Sequence, residues 1–183
     1  ISLFGATENH GLAFSLNACI GLARGKYIAR MDADDISLPE RLRRQVDFLE
    51  AHPQYSWCGT NAYLFEGDRI WGERKMPEMP QEADYLRYSP YVHPSVMYRR
   101  EVLAEHSYSI SEDTLRCEDY EIFMRLRKNG FCGYNIQQPL FCYREDAENY
   151  HRRSFGFRVN EAKIRYRNFK AMDMLFPFGW AYV

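Results

Sequence analysis

The chain is 183 residues long, enough for one sizeable core, and its net charge of −1 gives no global field that would draw it to nucleic acid. Its five cysteines are odd in number and include no Cys-x-x-Cys, which reads as reduced thiols in a cytosolic protein rather than a disulfide framework. No signal peptide is read in it, and no apolar run reaches the ~18 residues that would cross a bilayer.

Residues 9–24 place apolar side chains at 12, 16, 19/20 and 23, a helical stripe stopped by Gly25. Residues 26–31 form a short, mostly apolar strand that runs into Asp32-Ala33-Asp34-Asp35. Pro39 then announces a helix over 39–51, with Leu42, Val46 and Leu49 on one face. Residues 56–65 read as a strand, 66–68 as a turn and 69–73 as its hairpin partner, followed by a proline-marked loop over 76–80. A short helix is expected over 81–88, a strand holding His93 and Met97 over 90–99, and another short helix over 100–106. After a polar loop at 107–115, a helix over 116–129 stops at Gly130 and a strand follows at 131–136. Such alternation predicts an α/β layered domain over residues 1–146. Residues 147–183 form a second unit, a basic helix and an apolar tail.

The carboxylates carry the chemistry. Asp32, Asp34 and Asp35, packed at a strand end, repel one another and resist desolvation, so a cation among them is one resolution. A hard divalent ion prefers oxygen ligands and is often held by one or two carboxylates plus substrate phosphates. The competing reading is a polar strand-to-helix turn in which Asp35 or Ser37 caps the helix. A second acidic pair, Glu118-Asp119, opens the helix before Gly130. Helical spacing puts Asp119 on the inward face with Ile122, Phe123 and Leu126, while Glu118 points elsewhere. Burial would raise the Asp119 pKa and the helix N-terminus would lower it.

The chain resembles family 2 glycosyltransferases of the GT-A fold. The resemblance rests on Asn9-His-Gly-Leu12, Ser15-Leu-Asn17, Ala23-x-Gly25-x-Tyr27-Ile28, Met31-Asp-Ala-Asp-Asp35 and Leu38-Pro-Glu-Arg-Leu42, in the family's order and spacing. His93-Pro-Ser-Val-Met97 and Cys117-Glu-Asp-Tyr-Glu121 look like its acceptor-side segments. The resemblance covers about residues 9–145. It implies a layered GT-A sheet with flanking helices, Mn2+ or Mg2+ as cofactor, and inverting transfer from a nucleotide-diphosphate sugar, a UDP-sugar, to a glycan or lipid-linked acceptor. It makes Asp34 the direct metal ligand, with Asp32 nearer the ribose or the metal's outer shell and Asp35 an outer partner. It makes Asp119 the general base beside Glu118, places Asn9 and Arg144 on the donor side, and puts His93 on the acceptor side. His151 is a further metal-ligand candidate.

Alternatives remain at this level. His93 equally reads as a hydrogen-bonded structural group, and Arg144 as a surface salt-bridge partner. A nucleotidyltransferase-like protein would need a Gly-rich basic phosphate loop that the chain does not show. A non-catalytic carbohydrate- or nucleotide-binding remnant of the same fold would keep the motifs without turnover. Two departures from the family stand out. Leu16 occupies a position that is often Arg in the family's Ala-Arg-Asn, and the chain begins at Ile1 without the β-α-β unit that holds the nucleobase in relatives.

The basic end is separate. Residues 151–170 carry seven Lys/Arg against Glu161, interleaved with aromatic residues, and the stretch from Met174 to Val183 is apolar. Segment 152–183 fits either peripheral contact with an anionic membrane, at the inner face of the plasma membrane, or a carboxy-terminal helix packed on the domain with a solvated basic face. Surface-polysaccharide assembly in a bacterial cell is the setting the resemblance implies.

Overall fold

The computed structural model describes residues 5, 7–145 and 155–183. Twelve elements build the domain and position its site: α1 (Leu12–Leu22), β1 (Tyr27–Ala29), β2 (Ile36–Ser37), α2 (Arg41–Ala51), β3 (Trp57–Glu66), β4 (Arg69–Arg74), α3 (Glu82–Arg87), β5 (Met97–Arg99), α4 (Arg100–Glu105), α5 (Glu118–Lys128), β6 (Gly133–Arg144) and α6 (Phe155–Ala171). The strands form one mixed sheet in the order β1-β5-β3-β6-β2, with β4 added to β3. Helices pack against it in the expected α/β arrangement.

β3 is the spine. Its residues are buried almost throughout, as a central strand covered on both faces requires. It pairs in parallel with β6 from Trp57↔Gly133 to Phe65↔Arg144, and this long pairing carries both strands to one end of the sheet. The expected strand at 131–136 thus runs on to Arg144, because β3 supplies a template over its whole length. On its other edge β3 takes β5 antiparallel at Trp57 and Cys58, and β4 antiparallel from Ala62 to Glu66.

Three further expectations are corrected. Residues 90–99 are not one strand: His93–Ser95 form a 3-10 turn and only Met97–Arg99 are extended. The Ser95 hydroxyl donates to the Val92 carbonyl at 2.8 Å and accepts from the Thr60 amide at 3.1 Å, which holds the bend. The strand before Asp32 is not buried, since β1 is the terminal strand of the sheet. On α2 the buried face is Arg41, Gln45 and Leu49, while Leu42 is 51 % exposed. An apolar-period reading misses that face because two of its three members are polar.

The main core gathers Trp57, Tyr98, Phe123 and Leu126 with Ile164, Phe169, Met174 and Leu175 from the carboxy-terminal segment. α6 and the tail thus share the core of the sheet domain. α5 is oriented by charge, with Glu118, Asp119 and Glu121 in its first turn and Arg125, Arg127 and Lys128 in its last, complementing the helix dipole. The positive φ of Gly130, 85°, ends it as expected. α1 uses only part of its expected stripe: Leu16 and Ile20 pack on the core, whereas Leu12 and Cys19 stay exposed. Cys58, Cys117 and Cys142 are buried, Cys132 is half-buried and Cys19 is exposed. Among the described residues, no helix is long and apolar enough to cross a membrane.

The β3–β6 seam depends on one missing side chain. A Cβ at Gly133 would fall inside the indole of Trp57, which is fully buried and cannot retreat. Gly133→Ala should therefore destabilise the protein by about 1–3 kcal/mol through overpacking. Equilibrium urea unfolding should show a lower midpoint with an unchanged slope.

Candidate active site

β1 delivers the acidic turn. Its pairing with β5 (Tyr27↔Arg99, Ile28↔Tyr98, Ala29↔Met97) is extended by the Arg30 amide, which donates to the Val96 carbonyl at 2.9 Å. This sets the end of β1 beside the 93–95 turn. Immediately after the acidic residues, β2 pairs Ile36 with Cys142 and Ser37 with Phe141, tying the turn to the end of β6. Residues 36 and 37 are therefore strand, and no side chain caps α2, so the capping reading of Asp35 and Ser37 is not what the chain adopts.

Between these two clamps the carboxylates converge. Asp32, Asp34 and Asp35 each offer an oxygen, and those atoms lie within 4.8 Å of one another. Asp34 is exposed, Asp32 half-buried and Asp35 buried. The backbone amide of Arg144 donates to Asp35 Oδ1 at 2.8 Å, while Asp35 Oδ2 is buried with no hydrogen-bond partner among the described residues. Burial lifts the Asp35 carboxyl to about 6; the Arg144 amide opposes this and the charges of Asp32 and Asp34 reinforce it. A cluster of hard oxygen donors with one buried oxygen left open, and with its carboxylates repelling one another, fits a hard divalent cation. Asp32 and Asp34 are the members with accessible carboxylates.

Two buried arginines brace this turn. Arg30 Nη2 pairs with Asp32 Oδ1 at 2.7 Å. Arg41, 1 % exposed, sends Nη2 to the carbonyls of Arg30 at 2.6 Å and Pro94 at 3.2 Å and Nε to Gln45 Oε1 at 3.1 Å, and lies 4.8 Å from the centre of the Phe141 ring. Burial pulls the Arg41 guanidinium down to about 10, which still leaves it charged at neutral pH. Gln45 in turn donates to the carbonyls of Cys58 and Ser95. Sequence reasoning passed over Arg30, Arg41 and Gln45. The available signal was an arginine ending an apolar strand, and an i, i+4 polar pair in register with Leu49.

Asp119 lies in the first turn of α5, partly open, next to Ser89. Burial raises its carboxyl, opposed by the Tyr120 amide, the Ser89 hydroxyl and the charge of Arg30. Its neighbour Glu118 is buried as well, at 9 % exposure. The influence of Arg30 reaches further, since its charge also bears on Tyr98, Tyr108 and His93.

The other expected residues fall in different places. His93 is buried, with Nε2 2.7 Å from the Tyr108 hydroxyl and its ring edge-on to Phe123. Burial and the charge of Arg30 push its imidazole well below the ordinary value, so it is neutral here, as a hydrogen-bonded structural histidine would be. Arg144 serves the turn through its backbone; its side chain is exposed and lies 5.8 Å from the centre of the Phe65 ring. Asn9 Oδ1 accepts from the Gly11 amide at 2.9 Å and shapes the turn into α1. Asn17, from the same motif region, locks Tyr108 by bonds to both its amide and its carbonyl. His151 lies outside the described residues.

The family model described as "Glycosyl transferase family 2" matches residues 1–107. EpsE of Bacillus subtilis (strain 168), assigned to the glycosyltransferases, is 37 % identical over 168 residues, covering 91 % of this chain and 60 % of the relative. The amylovoran biosynthesis glycosyltransferase AmsE of Erwinia amylovora is 28 % identical over 164 residues, covering 86 % of this chain and 59 % of its own. The chain thus spans only part of the relatives it matches. Among solved structures, S. aureus TarS 1-349 in complex with UDP-GlcNAc superposes with a TM-score of 0.59 at 15 % identity, over 82 % of this chain and 44 % of that one. The mannosyltransferase PcManGT from Pyrobaculum calidifontis, in complex with GDP-Man and Mn2+, gives 0.57 at 16 % identity, over 99 % and 56 %. Those two likenesses speak for the fold, which is GT-A. With the family model matching more than half of its residues, this chain belongs to glycosyl transferase family 2.

Proposed function

We propose that the protein transfers a sugar from a nucleotide-diphosphate donor, a UDP-sugar, to a hydroxyl of a glycan or lipid-linked acceptor, with inversion at the anomeric carbon. The observation that carries this reading is the convergence of Asp32, Asp34 and Asp35 within 4.8 Å at the end of β1. A solved structure of the same fold is described with GDP-Man and Mn2+, and another with UDP-GlcNAc, which supports a nucleotide-sugar donor for this site.

Asp34 would hold the cation directly, Asp32 from nearer the ribose, and Asp35 from behind. A bound Mn2+ or Mg2+ supplies Lewis-acid neutralisation of the diphosphate leaving group. The chain's own residues do the rest. Asp119 takes the proton from the acceptor hydroxyl as that oxygen bonds to the anomeric carbon, while the sugar–phosphate bond breaks on the opposite side. Burial, which raises its carboxyl, makes it a better base than a solvated carboxylate. Asn9 and the Arg144 side chain are donor-side candidates, and Glu118 and His93 support the base and the acceptor side from buried positions.

The relatives' names place AmsE in amylovoran biosynthesis, and another similar E. coli protein is named for a diphosphoundecaprenol-linked acceptor. The first name supports polysaccharide assembly as the setting and the second a lipid-linked acceptor, which would put the protein at the inner face of the plasma membrane. The exposed Phe176, Phe178 and Trp180, after α6, would then be the side chains that meet the membrane. Co-sedimentation should find more protein on vesicles containing phosphatidylglycerol than on phosphatidylcholine alone; equal, negligible binding to both would discard the membrane contact.

The donor reading is tested by calorimetric titration of UDP into the full-length protein with and without Mn2+. Wild type should show Mn2+-dependent binding, and Asp34→Asn should lose the Mn2+-dependent part. Asp119→Asn should bind UDP as wild type does, yet lose transfer by a factor of about 10²–10⁴, the usual contribution of a general base. Equal loss of UDP binding in both variants would sink this division of roles.

A further inference from the structure

α5 and α6 do not close against each other along their whole length. Between them and the loop that precedes α5 lies a cavity of about 240 Å³. Thr114, Glu121 and Ile164 line it as buried side chains, while Lys128 of α5 and Arg167 of α6 line it as exposed ones. Neither Asp119 nor any residue of the acidic turn is part of its wall. Sites that enclose drug-sized ligands run to roughly 300–1,000 Å³, so this one has room for a small group and not for a nucleotide sugar.

Charge says what kind of group. Arg125 and Glu121 cancel: Nε and Nη2 of the arginine reach the two carboxylate oxygens at 2.7 and 3.2 Å, and Nη2 also donates to the Ser107 carbonyl at 2.8 Å. Arg167 shares a single carboxylate, Asp113, with Lys163, at 2.8 and 3.1 Å. Lys128 has no ion pair among the described residues. Among the lining groups and their ion-pair partners, three cations from two helices thus stand against one carboxylate once the Arg125–Glu121 pair is set aside. Complementing the helix dipole accounts for Lys128 at the end of α5, but not for Arg167, which α6 brings to the same cavity. Like charges carried together by packed helices repel, and an anion between them removes the repulsion. The donors suit an oxyanion, since a guanidinium fork and an ammonium are the usual partners of phosphate. Ser109 adds a hydroxyl to the lining that has no hydrogen-bond partner among the described residues.

We propose that the cavity between α5, α6 and the loop before α5 is an anion site that takes a phosphate group, held by Lys128 and Arg167 with the Ser109 hydroxyl as a further donor. It goes beyond sugar transfer and does not rest on that reading. The phosphate has two chemical sources, a phospholipid headgroup and a soluble phosphate ester. The position of α6 favours the headgroup. The helix runs directly into the tail, where Trp180 packs on Tyr166, the residue before Arg167, with 5.5 Å between ring centres. Phe176 and Phe178 beside them are the most exposed aromatic rings among the described residues. Aromatic side chains of this kind settle at the level of the headgroups, where a lipid phosphate would meet the cavity.

The test is calorimetric titration of inorganic phosphate into the full-length protein, in chloride buffer of fixed ionic strength. Metal is left out, so the acidic turn repels the probe. Wild type should bind phosphate, and Lys128→Gln and Arg167→Gln should each weaken binding by about tenfold or more, the usual worth of a charge-assisted hydrogen bond. Both side chains are exposed, so neither change threatens the fold. Lys170→Gln removes a positive charge from the same helix outside the cavity, and should stay within about twofold of wild type because a solvated charge is screened. Absence of phosphate binding in wild type overturns the proposal, as does wild-type binding in both cavity variants. An equal loss in all three variants overturns it too, because the segment would then be a diffuse basic surface. Co-sedimentation separates the two sources. With a headgroup site, phosphatidylglycerol vesicles retain less of either cavity variant than of wild type, and free phosphate competes with the vesicles. Unchanged retention alongside lost phosphate binding assigns the cavity to a soluble phosphate ester. Mn2+-dependent UDP binding should be the same in both cavity variants as in wild type, so its failure in wild type counts against the donor reading alone.

Discussion

The geometry of the site hangs on the Arg41 guanidinium. By donating to the carbonyls of Arg30 and Pro94 it fastens the end of β1 to the 93–95 turn, two segments far apart in the chain. Gln45, one helical turn on, extends the fastening to Cys58 at the start of β3 and to Ser95. The carbonyls of Arg30, Pro94 and Ser95 lie just past a strand end or in a turn, and a buried unpaired carbonyl costs about 1–3 kcal/mol. The helix therefore does more than cover the sheet. It supplies the polar hardware that strand ends and turns need, and in doing so fixes where the acidic turn begins.

Electrostatics then decides what that turn can do. Three carboxylates are gathered where solvent is only partly available, and one arginine offsets part of their charge. The imbalance shows in Asp35, whose carboxyl is lifted by burial and by its two neighbours. Such a cluster gains from a divalent cation, and its position at the joint of β1, β2 and β6 leaves Asp34 turned outward to receive one.

The carboxy-terminal helix belongs to this arrangement through packing. Ile164 and Phe169 enter the same core as Phe123 and Leu126 of α5, so α6 backs the helix that carries Asp119. Arg165 binds the carbonyls of Leu86 and Arg87 at the end of α3 and ion-pairs with Glu161 one turn earlier. Part of the basic character seen in this segment is thus used inside the fold, while Phe176, Phe178 and Trp180 of the tail are exposed.

Fold class, most of the elements and the gathering of Asp32, Asp34 and Asp35 were legible in the order of residues. Those features are local: a strand-to-helix periodicity, a glycine that must adopt positive φ at residue 130, and aspartates spaced at a strand end. No local pattern announced that Asp35 would be held by an Arg144 amide, that His93 would be sealed against Tyr108, or that Glu118 would be buried. Nor did any mark the polar face of α2, Arg41 and Gln45, as its buried one. Each of these is settled by a partner tens of residues away. Burial and pKa depend on what the chain brings alongside a group, and hydrophobic patterning records only what would be buried for its own sake; polar residues buried to satisfy distant backbone groups carry no such signature.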